Sequence, residues 1–109
     1  MARYSRAREK LMDAEYRLAV SEGDVRERLR RAYKPLRRLS AEDLPAELRD
    51  EWREILRELT RHGPERDSDG HVWRSSIDHT MSRIKNRTGR RIAERIYRLR
   101  AQLLHHARA

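Results

Sequence analysis

Between residues 46 and 61, Leu48, Trp52, Ile55, Leu56 and Leu59 return at intervals of three and four, with charged residues in the gaps. That is the period of a helix with one face turned to a core; a half-buried strand would alternate every second residue. Acids stand early in this segment and Arg57 and Arg61 late, the order that the helix dipole favours. The same spacing recurs elsewhere. Ala7, Leu11, Ala14 and Leu18, with Tyr4 one turn before, predict a helix over residues 3–20. Val25, Leu29, Ala32 or Tyr33, Leu36 and Leu39 predict a second, running to about Leu39.

Turn and cap residues divide these stripes. Ser21-Glu22-Gly23-Asp24 separates the first two helices, with Ser21 and Asp24 spaced as a capping box. Pro35 removes a backbone donor and is expected to kink or divide the second helix near Tyr33. Ser40 to Pro45 is a second break, with Pro45 suited to a first helical turn. Gly63-Pro64 ends the third helix and opens a polar loop over residues 63–71. Val72, Trp73, Ile77 and Met81 are assigned to a short helix started by Ser75 or Ser76. Ile84, Ile92, Ile96, Leu99 and Leu103 line a longer one, starting either at Ser82 or after Asn86-Arg87-Thr88-Gly89. Gly89 leaves both one helix and two open, since an interior glycine costs about 1 kcal/mol relative to alanine. The expected fold is all-α, a compact bundle of four to five helices in a single domain over residues 1–109.

Composition narrows the chemistry. The absence of cysteine excludes disulfides, thiolate metal sites and a cysteine nucleophile. No apolar run approaches the length that crosses a bilayer, and no apolar stretch follows the basic N-terminus, so a cytoplasmic protein without membrane contact is expected. The net charge is +9, with 24 arginines against 3 lysines. Its distribution says more than the total. Residues 21–39 carry +4 and residues 81–100 carry +7, whereas residues 40–62 carry −3. No acid occurs among residues 79–93.

This pattern nominates Arg83, Lys85, Arg87, Arg90 and Arg91 as contacts to a nucleic-acid backbone, helped by Arg30, Arg31, Arg37 and Arg38. Arginine forms bidentate bonds to phosphate, and each contact releases counterions. The alternatives are a solvated face neutralised by the acidic third helix and a surface that docks on, or inhibits, an acidic protein. Base-specific readout has little support, because Asn86 and Gln102 are the only carboxamides. Exposed aromatic platforms are not evident; Trp52 is assigned to the core, and Trp73, Tyr16, Tyr33 and Tyr97 fit core or surface. Recognition by DNA or RNA shape and backbone is therefore expected, with no cofactor, and an oligomer or a larger assembly left open.

Five histidines raise the question of catalysis. His71 and His79 with Asp67, Asp69 and Asp78 match no familiar metal-ligand spacing, and no metal is expected. Arginine precedes histidine by five positions four times: Arg57–His62, Arg66–His71, Arg74–His79 and Arg100–His105. At this arginine content chance alone supplies about one such pair. The spacing resembles the Arg-x4–6-His motif of HEPN ribonucleases, small helical bundles whose His and Arg act on the scissile phosphate. Arg74–His79 is the best placed pair. Ser75 departs from the Asn, Asp or His that commonly follows the arginine there. No phosphate-cradling glycine loop, nucleophile elbow or paired-carboxylate motif occurs.

The stretches Val25-Arg26-Glu27-Arg28-Leu29, Leu39 to Leu48 (LSAEDLPAEL) and Ala93 to Leu99 (AERIYRL) resemble a group of short helical bacterial proteins associated with mobile or defence gene neighbourhoods. The resemblance implies this helix order and a defence-associated accessory role, and it carries no catalytic signature. Residues 82–91 depart from it, with an arginine cluster where acidic helix-starting residues are expected. The small helical subunits of CRISPR effector complexes offer an analogy of size, helicity and charge.

Overall fold

A computed structural model describes residues 3–107. Five helices account for its layers: α1 (Ser5–Val20), α2 (Val25–Leu36), α3 (Ala46–Leu59), α4 (Ser76–Arg83) and α5 (Asn86–Ala107). A single 3-10 turn spans Ala41–Asp43, and a two-stranded antiparallel ribbon pairs β1 (Glu65–Arg66) with β2 (Val72–Arg74). The fold is the all-α bundle expected from the periodicity. It is elongated, with principal extents of 52 × 27 × 19 Å.

The apolar stripes converge on one core. Leu11, Leu29, Leu36, Ile55, Leu59, Ile92, Ile96, Leu99 and Leu103 are all but fully buried there. Burying each such side chain contributes about 1.5–3 kcal/mol. α1 and α2 form an antiparallel hairpin stitched by guanidinium-to-carbonyl bonds, Arg6 to Arg38 O at 3.1 Å and Arg28 to Leu18 O at 3.1 Å. α5 packs across α1, α2 and α3, and α4 packs against α2 and α3.

Several boundaries differ from expectation, each for a local reason. The cap of α2 is Asp24, three residues later than the Ser21 box implies. Its carboxylate accepts from Arg26 N and Glu27 N, while Gly23 turns the chain at φ 92°. Pro35 does not divide α2 near Tyr33: it falls in the last turn, and the helix runs on to Leu36. The N–H it lacks would have bonded Arg31 O, and that carbonyl instead accepts from the Arg17 guanidinium at 3.3 Å. The helix ends at Leu36, leaving Leu39 buried but outside it.

Val72 and Trp73 are exposed on β2, not on the α4 helix to which they were assigned, and part of the expected 63–71 loop is β1. The Asp67 carboxylate organises the turn by accepting from Asp69 N and His71 N, both at 2.9 Å. Ser75 does cap α4, accepting from Asp78 N. The last third is two helices, divided at Ile84-Lys85 and not at either expected start. Ile84 O, which a continuous helix would bond to Thr88 N, accepts from the Arg26 guanidinium at 3.2 Å. Gly89 lies inside α5 against α2, where a Cβ would stand 2.8 Å from Val25 Cγ1. The glycine is there because no other residue permits this approach.

Candidate nucleic-acid interface

The two basic blocks meet where α2 begins and α4 gives way to α5. Arg26 touches Ile84 O, and Gly89 rests on Val25. Arg26, Arg30 and Lys34 follow one another at i, i+4 along α2, with Arg37 next to that row. Ion pairs neutralise the first half of this stripe. Arg26 binds Asp24 at 2.9 Å, and Arg30 lies 3.4 Å from Glu27 and 3.7 Å from Asp78. Arg30, nominated as a phosphate contact, is therefore half-buried and paired.

The other nominated residues are different. Arg31, Arg37, Arg38, Arg83, Lys85, Arg87, Arg90 and Arg91 are all exposed. Among the described residues none of them is in salt-bridge contact with a carboxylate. Lys34 shares both properties and belongs with them. Arg31, Lys34 and Arg37 line one cleft with the start of α4, and Arg38 lies just past the end of α2 at Leu36. The exposed cations thus form two groups at opposite ends of α4, about 12 Å apart by the rise of its eight residues.

The acids of α3 do not reach the α4–α5 group. Glu51 and Glu58 hold Arg95, with contacts of 2.6 and 2.7 Å. Hydrogen bonds from Arg95 keep the Glu51 carboxyl below the usual carboxylate range, and Glu51 in turn raises Arg95. Glu15 takes Arg100 at 3.1 Å. Arg91 shares a groove with Glu54 and Glu58, but Glu54 pairs with Arg57. Neutralisation by the third helix therefore covers Arg95 and leaves residues 83–91 uncompensated. Position adds to this. α2, α3 and α4 each have an acid in the first turn, Glu27, Glu47 and Asp78; α1 and α5 have none, and α5 opens among Lys85, Arg87, Arg90 and Arg91. Cations at the positive end of a helix dipole are each disfavoured by about 0.3–1 kcal/mol.

Of the four Arg–His pairs, Arg74 and His79 are brought together by Glu65, which sequence reasoning passed over. Glu65 Oε1 lies 2.9 Å from Arg74 Nη1 and 3.6 Å from His79 Nε2. His79 Nδ1–H donates to Gly63 O at 3.0 Å, and its side chain is 12% exposed. The His62 ring stands 5.5 Å away, and its pKa is lowered by desolvation and by the charges of His79, Arg61 and Arg83. The cluster fastens the base of the hairpin to α4. Asp67, Asp69 and His71 converge at the hairpin tip, exposed, in the turn that Asp67 caps.

Two of the aromatic residues that fit either core or surface lie on the surface. Trp52 is core, with Nε1 donating to Leu36 O at 3.1 Å, but Trp73 is 57% exposed and Tyr16 64%. Tyr16 and Met12 line an open, mainly apolar groove between α1 and α5 with Leu103 and Leu104. No helix is long and apolar enough to cross a membrane among the described residues. Compared with known proteins, the chain matches no family model, and no curated protein or solved structure is significantly similar to it.

Proposed function

We propose that this protein binds the phosphate backbone of nucleic acid through the exposed cations at the α4–α5 junction, Arg83, Lys85, Arg87, Arg90 and Arg91, with Arg31 and Lys34 of α2, and Arg37 and Arg38 just beyond it, assisting. The observation that carries the proposal is the unpaired state of these cations at the start of a helix whose first turn has no acid. Such a cluster is costly to the free protein and is relieved by a polyanion. An accessory role within a bacterial defence or mobile-element assembly is consistent with the size of the chain.

Fluorescence anisotropy with labelled DNA and RNA across a salt series tests this. Binding at about 50 mM salt that weakens linearly in log–log form is expected; undetectable binding to both nucleic acids at that salt overturns the proposal. The variant R87A/R90A/R91A should lower the duplex salt slope by up to about 2.7, or 0.9 per lost phosphate contact. Capture of an acidic protein without nucleic acid would instead favour the docking function.

The convergence of Arg74 and His79 on Glu65 supports a second reading, RNA cleavage. Cleavage abolished by both His79→Ala and Arg74→Ala is its expected signature, and an uncut RNA pool removes it.

A further inference from the structure

Trp73 is the largest apolar side chain left in solvent, on a ribbon too short to form a core of its own. It is nevertheless held in place. The Arg74 guanidinium stacks over its ring at 4.5 Å from the centroid. Arg74 is itself fixed by Glu65 at 2.9 Å and by the Ser82 hydroxyl, to which it donates at 3.1 Å. A stacked guanidinium polarises the indole and restrains its orientation, and most of the ring stays accessible.

Along the chain, Trp73 is two residues from a cationic groove. Ser75, two residues on and so within about 7 Å along the chain, lines a cleft of about 580 Å³ between α2 and the start of α4. Arg30, Arg31, Lys34 and Arg37 line the same cleft, and Arg37 lies over the Tyr33 ring at 5.9 Å. Glu27 and Asp78 also line it, each paired to Arg30, so Arg31, Lys34 and Arg37 supply the uncompensated charge. A positioned aromatic face next to a basic groove is the arrangement that binds unpaired bases and their phosphates together. A duplex conceals its base faces within the stack and cannot use Trp73 in this way.

We infer that Trp73 and the α2–α4 groove bind a short single-stranded segment of nucleic acid, with one base stacked on Trp73 and the neighbouring phosphates on Arg31, Lys34 and Arg37. This rests on the nucleic-acid function proposed above and specifies the strandedness of the ligand. It makes the α4–α5 cations a second, sequence-independent contact about one helix length away.

The experiment compares about twelve-nucleotide oligo(dT) and oligo(U) with a hairpin duplex of similar length, a size within the range single-strand sites accommodate. The proteins are the wild type, W73A, W73F and R87A/R90A/R91A. For the wild type, single strands bind more tightly than the duplex and quench tryptophan emission. Trp52 is buried, so the quenching reports Trp73. W73A weakens single-strand binding by roughly five- to a hundred-fold and leaves duplex binding unchanged. W73F keeps most of the affinity and loses the quenching, which separates stacking from any effect on folding. R87A/R90A/R91A weakens both ligands. Equal affinity of W73A and wild type for single strands, with both still bound, overturns this inference and leaves backbone binding standing. No binding of any nucleic acid by the wild type overturns both.

Discussion

Gly89→Ala sets two effects of opposite sign against each other, and the geometry decides between them. In an open helix the change stabilises by up to about 1 kcal/mol, because alanine has the higher helix propensity. Here the added methyl would sit 2.8 Å from Val25 Cγ1, a contact that real Cβ atoms essentially never make. Val25 cannot turn away readily. It is β-branched, it is the first residue of α2, and its backbone is anchored by the Asp24 cap. α2 and α5 must therefore separate, and overpacking of this kind costs about 1–3 kcal/mol. The net expectation is a loss of about 1 kcal/mol, which lowers Tm by about 4–8 °C for a domain of this size. Urea unfolding followed by circular dichroism measures it, with the midpoint falling at constant m. The decisive comparison is the same substitution in a Val25→Ala background. With Cγ1 gone, Leu29 Cδ1 at 3.5 Å is an ordinary contact, and Gly89→Ala should now stabilise. A stabilising effect in the wild-type background, or no reversal of sign in the double variant, refutes the close approach of the two helices.

Two further substitutions probe the polar contacts that set the frame. Glu51 is held below the usual carboxylate range by Arg95, so its contribution is present above the unfolded value of about 4.3 and is lost as pH falls through the lower native value. Glu51→Gln should flatten stability against pH below about 5 and cost on the order of 1 kcal/mol at neutral pH, the group being partly exposed; an unchanged acid limb counts against the pair. The buried Thr80 hydroxyl accepts from His62 N at 3.0 Å, tying the end of α3 to α4. Thr80→Val keeps the shape and orphans that N–H at a cost of about 1–3 kcal/mol, with Thr80→Ser milder; equal stability of the valine variant would show that the bond contributes nothing.

What the sequence made legible follows from what is local. The core stripes of α1, α2, α3 and α5 are found where the three- and four-residue spacing puts them, because burial and periodicity are two expressions of the same helix face. The errors arose where distant residues decide the outcome. Pro35 was read as a break, but Arg17, far along the chain, satisfies the carbonyl that the proline leaves free. The α4–α5 division depends on Arg26, fifty-eight residues from Ile84. Trp73 was drawn into a helix because its neighbours Ile77 and Met81 carry helical spacing, while the Glu65–Arg74 pair that makes the ribbon is formed across the turn. The candidate site divides in the same way. The uncompensated charge of residues 83–91 was visible as a stretch without acids. Which arginines are neutralised was not, because Arg95 and Arg100 find their partners 44 and 85 residues away.

Those distant pairings imply a last test of the α4–α5 cluster, using the same R87A/R90A/R91A variant in the absence of any ligand. The acids that pair across the chain are engaged elsewhere: Glu51 and Glu58 on Arg95, Glu15 on Arg100, Glu65 on Arg74, Asp78 on Arg30, Asp43 on Arg6. None is spent on the junction, where repulsion among cations and the positive helix end act together. Removing three of these charges should therefore stabilise the free protein, by about 0.3–1 kcal/mol through Arg87 in the first turn of α5 and further by relieving the repulsion among the cations. The gain should shrink as salt screens the repulsion. A cluster kept for the fold would show the reverse, a loss of stability on removal. Stability rising while nucleic-acid affinity falls is the mark of residues retained for binding at the expense of the fold. A destabilised variant would place the arginines in the architecture and withdraw the proposed interface.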